Sequence, residues 1–347
     1  MAAFTIGNRW VGPEHPPLII AELSGNHNGS LDRGLAIIDA VADAGVHAIK
    51  LQTYTADTMT LPGAHRISDP TSLWYGRELH ELYQEAYTPW EWHAPLFDRA
   101  RQRGLLAFSS PFDETAVDFL ETLDVPVYKI ASLENTDWPL LRRVAATGKP
   151  VIMSTGASTL AEVAEAVDVL RTAGCRDLVL LKCTSTYPSS PEATNLRTIP
   201  HLAQLFADCL VGLSDHTAGV GASVAAVALG ATIVEKHVTL RRADGGVDST
   251  FSLEPEEVRT LVTETERAWQ ALGQIQYGVQ RGEASARSHK RSLYVARDIA
   301  AGELYSAENL RIVRPGDGLA PRYYEHLLGK PARQYLRAGT PLTWEAL

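Results

Sequence analysis

Eight short runs of apolar residues recur along the chain, and each is followed by a loop and a segment of helical periodicity. The runs are nearly continuous rather than strictly alternating, which is typical of parallel strands buried on both faces. They cover residues 18–23, 47–52, 105–110, 127–132, 150–155, 178–183, 210–215 and 232–238. Eight β/α units of this total length predict a (β/α)8 TIM barrel. An open doubly wound sheet is the alternative, but no Gly-x-Gly-x-x-Gly motif follows the first run.

Two of the intervening helices have N-terminal capping signals. Thr88 and Glu91 have the spacing of a capping box, and so do Thr159 and Glu162. We therefore expect Thr88 and Thr159 to be the N-caps of the helices that follow them.

The rest of the chain divides around the predicted barrel, which we place at residues 1–275. Residues 276–287 lack apolar periodicity and are predicted to be a linker. Residues 288–347 have short apolar segments and many Gly and Pro turn signals, which predict a small β-rich domain. The connection 53–104 is long and aromatic, so we expect it to cover part of the barrel mouth.

Composition limits the partners and the compartment. The net charge is −9, from 32 Lys+Arg and 41 Asp+Glu, and no basic block argues for a nucleic-acid or membrane partner. No secretory signal is recognisable, and no apolar stretch reaches the ~20 residues of a membrane span. Cys175, Cys183 and Cys209 are odd in number and lack metal-site spacing. We therefore expect a cytoplasmic protein.

Polar side chains stand at the ends of most predicted strands, where a barrel carries its chemistry. Each alone could pair within the barrel or reach water, but together they predict a functional site. The set comprises Glu22, Lys50, Gln52, Ser110, Lys129, Ser132, Glu134, Ser154, Lys182, Ser185, Tyr187, Ser214, Asp215, His216, Glu235, Lys236 and His237.

His216 and His237 end neighbouring predicted strands, so their imidazoles are expected on the same side of the mouth. Neutral imidazole is a common metal ligand, although such a pair can equally be hydrogen-bonding groups. Nearby Asp215, Glu22 and Asp248 could add oxygen ligands or orient the imidazoles. Two histidines with oxygen ligands would suit Mn²⁺, Co²⁺ or Mg²⁺.

Three lysines near the mouth, Lys50, Lys129 and Lys182, predict an anion site together with the strand-end serines. Each serine alone could instead serve as a turn residue or helix cap. Gly148 and Lys149 precede a proline rather than Ser or Thr, so no phosphate-binding P-loop is present.

Several strings at these strand ends resemble the sialic acid synthase family. They are AELSGNHNGS, AIKLQTYTADTMTL, YKIAS, STG, LKCTSTYP, GLSDHT and EKHVTL, and they recur in order along nearly the whole chain. Within that family, ELYQEAYTPWEWH, FSSPFD and KCTSTYP are most similar to the branch that makes pseudaminic acid.

The resemblance implies a (β/α)8 barrel joined to an antifreeze-like (SAF) domain, in a domain-swapped homodimer whose small domain caps the partner's barrel. It implies condensation of phosphoenolpyruvate with an open-chain N-acetylated amino sugar, giving a nine-carbon 2-keto acid and phosphate. A divalent metal ion, typically Mn²⁺, is implied as cofactor.

The resemblance also implies roles for particular residues. His216 and His237 would bind the metal. For proton transfer near C2 of phosphoenolpyruvate our own hypothesis is Glu134 or Glu22, between which the sequence does not choose. The remaining positions divide between phosphoenolpyruvate and the sugar. The phosphate would be held by Lys129, Ser132, Ser154, Ser185 and Ser214, the carboxylate by Lys50 and Ser110, and the sugar by Glu22, Gln52, Tyr187 and Asp248. Arg314 would reach an N-acetyl group from the partner's small domain.

Two departures from the family pattern bear on the substrate. Ser185 stands where sialic acid synthases usually have Asn, and Lys182 replaces a usual His. These departures favour the pseudaminic acid branch over synthesis of N-acetylneuraminate or legionaminate. A non-enzymatic antifreeze-like binding protein is the alternative from another class, and it would require a barrel mouth without these ionisable residues.

Overall fold

The computed structural model describes residues 3–70 and 72–347. It divides the chain into two compact units, Met1–Gly273 and Gln274–Leu347. The predicted linker 276–287 begins just inside the second unit and contains the start of a short helix. In the described part of the chain, no helix is both long and apolar enough to cross a membrane.

The first unit is built around a closed barrel of eight parallel strands, so the open doubly wound sheet is excluded. Each of the eight barrel strands begins and ends within two residues of a predicted apolar run. A two-stranded antiparallel hairpin precedes the barrel, and the strands in chain order are β1 (Phe4–Ile6), β2 (Arg9–Val11), β3 (Leu18–Glu22), β4 (Ala48–Thr53), β5 (Leu106–Pro111), β6 (Tyr128–Ile130), β7 (Val151–Ser154), β8 (Leu178–Cys183), β9 (Leu210–Asp215) and β10 (Ile233–His237).

Helices alternate with the barrel strands, and three of them lie in the long second connection. They are α1 (Leu31–Asp43), α2 (Ala56–Met59), α3 (Leu79–Ala86), α4 (Trp90–Gln102), α5 (Glu114–Glu121), α6 (Trp138–Ala145), α7 (Leu160–Thr172), α8 (Thr198–Leu205), α9 (Gly221–Ala228) and α10 (Pro255–Leu272). Most of their apolar faces pack on the strands in one large core, and α8 and α9 pack on β9 in a second cluster. Because the strands are buried on both faces, their sequences are nearly continuous apolar runs.

One predicted cap is confirmed and the other is wrong. Thr159 caps α7 in a full capping box with Glu162. At α4, however, Pro89 is the last non-helical residue, with φ −50° and ψ 135°, and no side chain caps the helix. Thr88 is buried instead, and its hydroxyl has no partner among the described residues.

The second unit has its own apolar core. Two further helices, α11 (Ala284–Ser288) and α12 (Tyr324–Leu327), accompany the antiparallel pair β11 (Ser292–Val295) and β12 (Leu310–Val313). Leu293, Tyr305 and Leu310 are among the buried side chains that pack together here. The small β-rich unit therefore has a core distinct from that of the barrel.

Candidate active site

Strand register decides which strand-end residues face the barrel lumen. Glu22 is paired with His237 on one side and with Lys50 on the other, and Ser214 is paired with Cys183 and Glu235. Paired residues on neighbouring strands share a face, and successive residues alternate between faces. The lumen face therefore carries these groups, while Asp215 and Lys236 face the surrounding helices.

Two lysines and two glutamates form a buried charge cluster in the lumen. Glu235 Oε1 forms ion pairs with both lysines, at 3.7 Å from Lys50 Nζ and 3.5 Å from Lys129 Nζ. The same oxygen accepts a hydrogen bond from Ser214 Oγ at 3.2 Å. Lys50 also contacts the Glu22 carboxylate, and its Nζ lies 3.3 Å from Ser110 Oγ. All four ionisable side chains are at most 4% exposed. Opposite charges thus compensate each other at the floor of the mouth.

Burial and ion pairing shift the pKa values of these groups in different directions. Burial pushes the pKa of Glu235 upward, but the Lys129 and Lys50 ammonium groups outweigh it and hold that pKa below its ordinary value. Burial raises the pKa of Glu22 to about 7, with Lys50 working in the opposite direction. Burial also lowers the pKa of Lys129, opposed by Glu235.

Glu235 is a site residue to which the sequence analysis assigned no role. It lies two residues before His237 on β10, so strand alternation alone would have placed both on the lumen face. That alternation is the signal that could have identified it.

Two predicted phosphate-binding serines, Ser132 and Ser185, meet at Gly156 in the loop after β7, and we call these three residues the anion cradle. The Gly156 N–H donates to Ser132 Oγ at 3.0 Å. A Cβ on Gly156 would come within 2.3 Å of Ser185 Oγ and 2.8 Å of Ser132 Oγ, so only glycine fits beside these hydroxyls. Ser154, the last residue of β7, has a buried Oγ without a partner among residues 3–70 and 72–347.

Lys182 does not belong to this anion site, contrary to the expectation of a three-lysine ring. Its Nζ donates to Cys183 O at 2.6 Å and to Thr184 Oγ1 at 2.9 Å. The reason is strand alternation, which turns Cys183 rather than Lys182 into the lumen. Burial raises the Cys183 thiol pKa, but His216 outweighs it and brings that pKa to about 7.

The two histidines lie together at the mouth, with ring centroids 5.4 Å apart. His216 Nδ1 is 3.0 Å from Thr184 O, an arrangement that would leave Nε2 as the lone-pair nitrogen. His237 Nδ1 is buried, has no hydrogen-bond partner in the described chain, and lies 3.9 Å from Asp248 Oδ2.

These donors fit a divalent ion held by two imidazoles. Burial, with His216 and Lys50 nearby, holds the pKa of His237 well below its ordinary value and so favours its neutral ligand form. Burial also lowers the pKa of His216, but the contacts with Cys183 and the Thr184 carbonyl outweigh burial, so the pKa of His216 lies above its ordinary value. Within the described residues no third His, Cys, Asp or Glu completes a metal-binding group. An ion held by these two imidazoles would leave coordination positions open for substrate or water.

Asp215 is not available as a metal ligand, because it faces the helix layer. Its Oδ2 accepts from Lys236 Nζ at 2.9 Å and from Ser223 Oγ at 2.6 Å. Its Oδ1 accepts from Thr217 N at 2.8 Å. Asp215 and Lys236 therefore form a buried ion pair between β9, β10 and α9.

Asp215→Asn is expected to lower the free energy of unfolding by about 3 kcal/mol, because Lys236 would remain buried without a counter-charge. Urea unfolding measures this, with the exposed Asp168→Asn on α7 as a near-neutral control. Loss of metal binding at unchanged stability would contradict this structural role.

A cavity of about 260 Å³ lies at the mouth, between the strand ends and the long second connection. Its polar lining residues include Gln52, Ser132, Glu134, Tyr187, His237 and Asp248. Its apolar and aromatic lining residues include Tyr54, Met59, Ile67, Trp74, Leu79, Leu82 and Phe112. Trp74 Nε1 donates to Val247 O at 3.2 Å, which ties the second connection to the loop that carries Asp248. The expectation that residues 53–104 cover part of the mouth is confirmed.

The remaining predicted site residues lie in two places. Tyr187 packs its ring 4.5 Å from that of His216 and 5.3 Å from that of Phe251, at the cavity wall. The Asp248 carboxylate accepts from Ser24 Oγ, and burial raises its pKa. Arg314 follows β12 in the second unit, where it is exposed and makes no ion pair within the described part of the chain.

The chain is similar to known proteins along most of its length. A model of the NeuB family matches residues 37–277, and one of the SAF domain matches residues 290–347. The chain is 44% identical to pseudaminic acid synthase of Campylobacter jejuni, over 93% of this chain and 94% of that protein. It is 35% identical to N,N'-diacetyllegionaminic acid synthase of the same species, over 91% and 95%. A solved N-acetylneuraminic acid synthetase from Leptospira borgpetersenii, in complex with citrate, superimposes with a TM-score of 0.74 at 33% identity, covering 82% of this chain and 95% of that one.

Proposed function

The chain belongs to the NeuB family, and on that premise we propose that it is a pseudaminic acid synthase. The reaction condenses phosphoenolpyruvate with 2,4-diacetamido-2,4,6-trideoxy-L-altrose and water to give pseudaminic acid and phosphate. One observation carries the proposal: the anion cradle, the imidazole pair and a cavity lined by both apolar and polar residues all lie at the same end of the barrel.

The cavity supports a sugar rich in methyl groups. The proposed substrate has a 6-deoxy carbon and two acetamido groups, hence three methyls. Met59, Ile67 and Leu79 line the cavity together with Gln52 and Asp248. Apolar lining residues favour methyl groups, whereas hydroxyls beside them would lose hydrogen bonds to water. This mixture of apolar and polar lining residues suits the proposed sugar.

Phosphoenolpyruvate fits the charged floor. Lys129 with Ser132, Ser154, Ser185 and Ser214 would hold its phosphate, and Lys50 with Ser110 its carboxylate. Lysines and hydroxyls supply donors to both anionic groups, in a site where low exposure strengthens each contact. Glu235 would keep Lys50 and Lys129 in place through its shared oxygen.

Proton transfer is assigned to Glu134 rather than Glu22. C3 of phosphoenolpyruvate bonds to the aldehyde carbon of the sugar, water adds to C2, and the C2–O bond to phosphate then breaks. Glu134 lines the cavity, whereas Glu22 is fully buried against Lys50. Burial raises the pKa of Glu134 to about 7, which suits a base that takes a proton from the water adding to C2.

His216 and His237 would hold the divalent ion, for which we propose Mn²⁺, with Mg²⁺ and Co²⁺ as the other candidates. When bound, such an ion polarises the aldehyde oxygen of the sugar as a Lewis acid. Gln52, Tyr187 and Asp248, which line the cavity, orient the sugar.

Phosphate release from phosphoenolpyruvate across a panel of N-acetylated sugars tests the function. We expect release with the diacetamido-trideoxy-altrose and little with N-acetylmannosamine or the legionaminate precursor, since a mismatched methyl or hydroxyl costs about 10–200-fold. Chelation should stop release and added Mn²⁺ should restore it.

The panel also separates the alternatives. Preferred release with the legionaminate precursor would support the function named for the 35% identical relative. Release with no 6-deoxy-diacetamido sugar would refute the subfamily assignment, and full activity after exhaustive chelation would refute the metal.

We further propose a domain-swapped homodimer in which Arg314 of the small unit contacts an N-acetyl group in the partner's barrel. The exposed, unpaired guanidinium supports this role, because Arg is an effective donor to carbonyl oxygens. Sedimentation should show a dimer, and Arg314→Ala should raise the KM for the sugar alone. A monomer of full activity would contradict the arrangement.

A cytoplasmic location is also proposed. Cys175, Cys183 and Cys209 are buried free thiols, as is usual in a reducing compartment. Cell fractionation tests the location, and recovery from an oxidising compartment would contradict it.

A further inference from the structure

Two buried asparagines make the same pattern of hydrogen bonds on opposite sides of the barrel mouth. Asn26, in the turn after β3, donates from Nδ2 to Val238 O at 2.8 Å and to Ser252 Oγ at 2.8 Å. Asn135, in the turn after β6, donates from Nδ2 to Ser154 O at 3.3 Å and to Ser158 Oγ at 2.7 Å. Each amide therefore joins the end of a neighbouring strand to one serine.

Each of those serines extends the contact to a loop that carries a site group. Ser252 Oγ donates to the main-chain oxygen of Asp248 at 2.7 Å. Ser158 Oγ donates to the main-chain oxygen of Gly156 at 3.0 Å. The Asn26 contacts thus connect the end of β10, next to His237, with Asp248. The Asn135 contacts connect the end of β7 with the Gly156 loop of the anion cradle.

Three glycines in the loops held in this way are closely packed. A Cβ on Gly246 would come within 2.4 Å of Asn28 Oδ1, and one on Gly25 within 2.4 Å of Val247 Cγ2. Gly156 is equally crowded by Ser185 and Ser132. Where packing is this close, we expect the loss of a hydrogen bond to shift neighbouring site groups as well.

We propose that Asn26 and Asn135 are positioning residues with separate targets, Asn26 for the His237 and Asp248 side and Asn135 for the anion cradle. The inference rests on the proposed function, because it takes the first side as the metal and sugar site and the second as the phosphate site. Neither amide lines the cavity, so each acts through the groups it holds.

Asn26→Ala and Asn135→Ala test the separation by direct binding. Mn²⁺ titration without substrate and calorimetry with phosphoenolpyruvate give the two dissociation constants without turnover. Asn26→Ala should weaken Mn²⁺ binding about tenfold or more, as outer contacts to metal ligands commonly do, with phosphoenolpyruvate binding within about twofold. Asn135→Ala should do the reverse, because displaced donors lose their anion contacts.

A matched control is Asn309→Ala in the second unit. Asn309 is also buried, and its Nδ2 donates to Leu304 O at 3.0 Å and Glu303 Oε1 at 3.2 Å. It should change neither dissociation constant. If an asparagine variant fails to fold, Ser252→Ala and Ser158→Ala remove the hydroxyls that link each amide to Asp248 O or Gly156 O, while the amide's bond to the strand end remains, and they should show the same split with smaller effects.

The outcomes separate the positioning roles of the two asparagines from the proposed function. Equal changes in both constants, or no change in either, would overturn the positioning roles. Wild-type protein that bound neither Mn²⁺ nor phosphoenolpyruvate would overturn the proposed function itself.

Discussion

His216→Ala is expected to lower phosphate release at least about 10³-fold, because it removes one of two nitrogen ligands from the proposed metal site. Lewis-acid polarisation contributes several kcal/mol, and each 1.36 kcal/mol is a factor of ten in rate. Mn²⁺ titration should show a matching loss of affinity. The fold should persist, since the ring lies at the mouth and, among residues 3–70 and 72–347, its Nδ1 has polar contacts only with Thr184 O and Cys183 Sγ.

The control for this variant is His201→Ala, which removes an exposed imidazole from α8, outside the barrel lumen. It should leave Mn²⁺ affinity and turnover unchanged. Turnover by His216→Ala at the wild-type rate, with the protein folded by circular dichroism, would exclude His216 as a ligand.

The barrel could be predicted because its evidence is local. Each strand is buried on both faces, so a short run such as 178–183 is apolar enough to be recognised without knowing its partners. The polar strand ends then follow from the common direction of parallel strands. This reasoning placed His216 and His237 at one mouth, and the structure puts their rings 5.4 Å apart.

Predicting whether a polar strand residue faces the lumen or the helices requires the register of the strands. Asp215 and His216 are adjacent in sequence, yet Asp215 pairs with Lys236 toward the helices while His216 reaches the mouth. Strand alternation could have shown that Lys182 faces away from the lumen and that Glu235 faces it. Nearness to a strand end alone does not separate residues that face the lumen from those that face the helices, so it places Lys182 in the anion site and gives Glu235 no role.

Contacts between distant loops were beyond sequence reasoning. Asp248 is held by Ser24, which is 224 positions away, and Asn26 by Ser252, 226 positions away. Such pairs depend on how β3 and β10 become neighbours when the barrel closes. The same limit applies at Thr88, where the conformation of Pro89 displaced a cap that fitted the local motif.

Glu134→Gln is expected to lower the turnover number about 10²–10⁴-fold, the usual contribution of a general base. Burial raises the pKa of Glu134 to about 7, with Lys129 opposing and Asp137 adding to the rise. The wild-type rate should therefore fall as the pH drops through about 7, and the variant's residual rate should lose this dependence. The exposed Glu165→Gln on α7 is the control. If Glu22→Gln rather than Glu134→Gln removed the dependence, the base would be Glu22.

The same carboxyl makes a separate prediction for stability. Its pKa is about 7 in the folded protein and 4.5 ordinarily, so between these values the folded state binds more protons than the unfolded state. The stabilising contribution is therefore complete below about pH 4.5 and is lost as the pH rises through about 7. Glu134→Gln should reduce the pH dependence of the unfolding free energy across that window, leave the part that Glu22 contributes with its own pKa of about 7, and be more stable than wild type above the window. Urea unfolding at several pH values measures the difference, and parallel profiles for the two proteins would show that Glu134 does not titrate in this window.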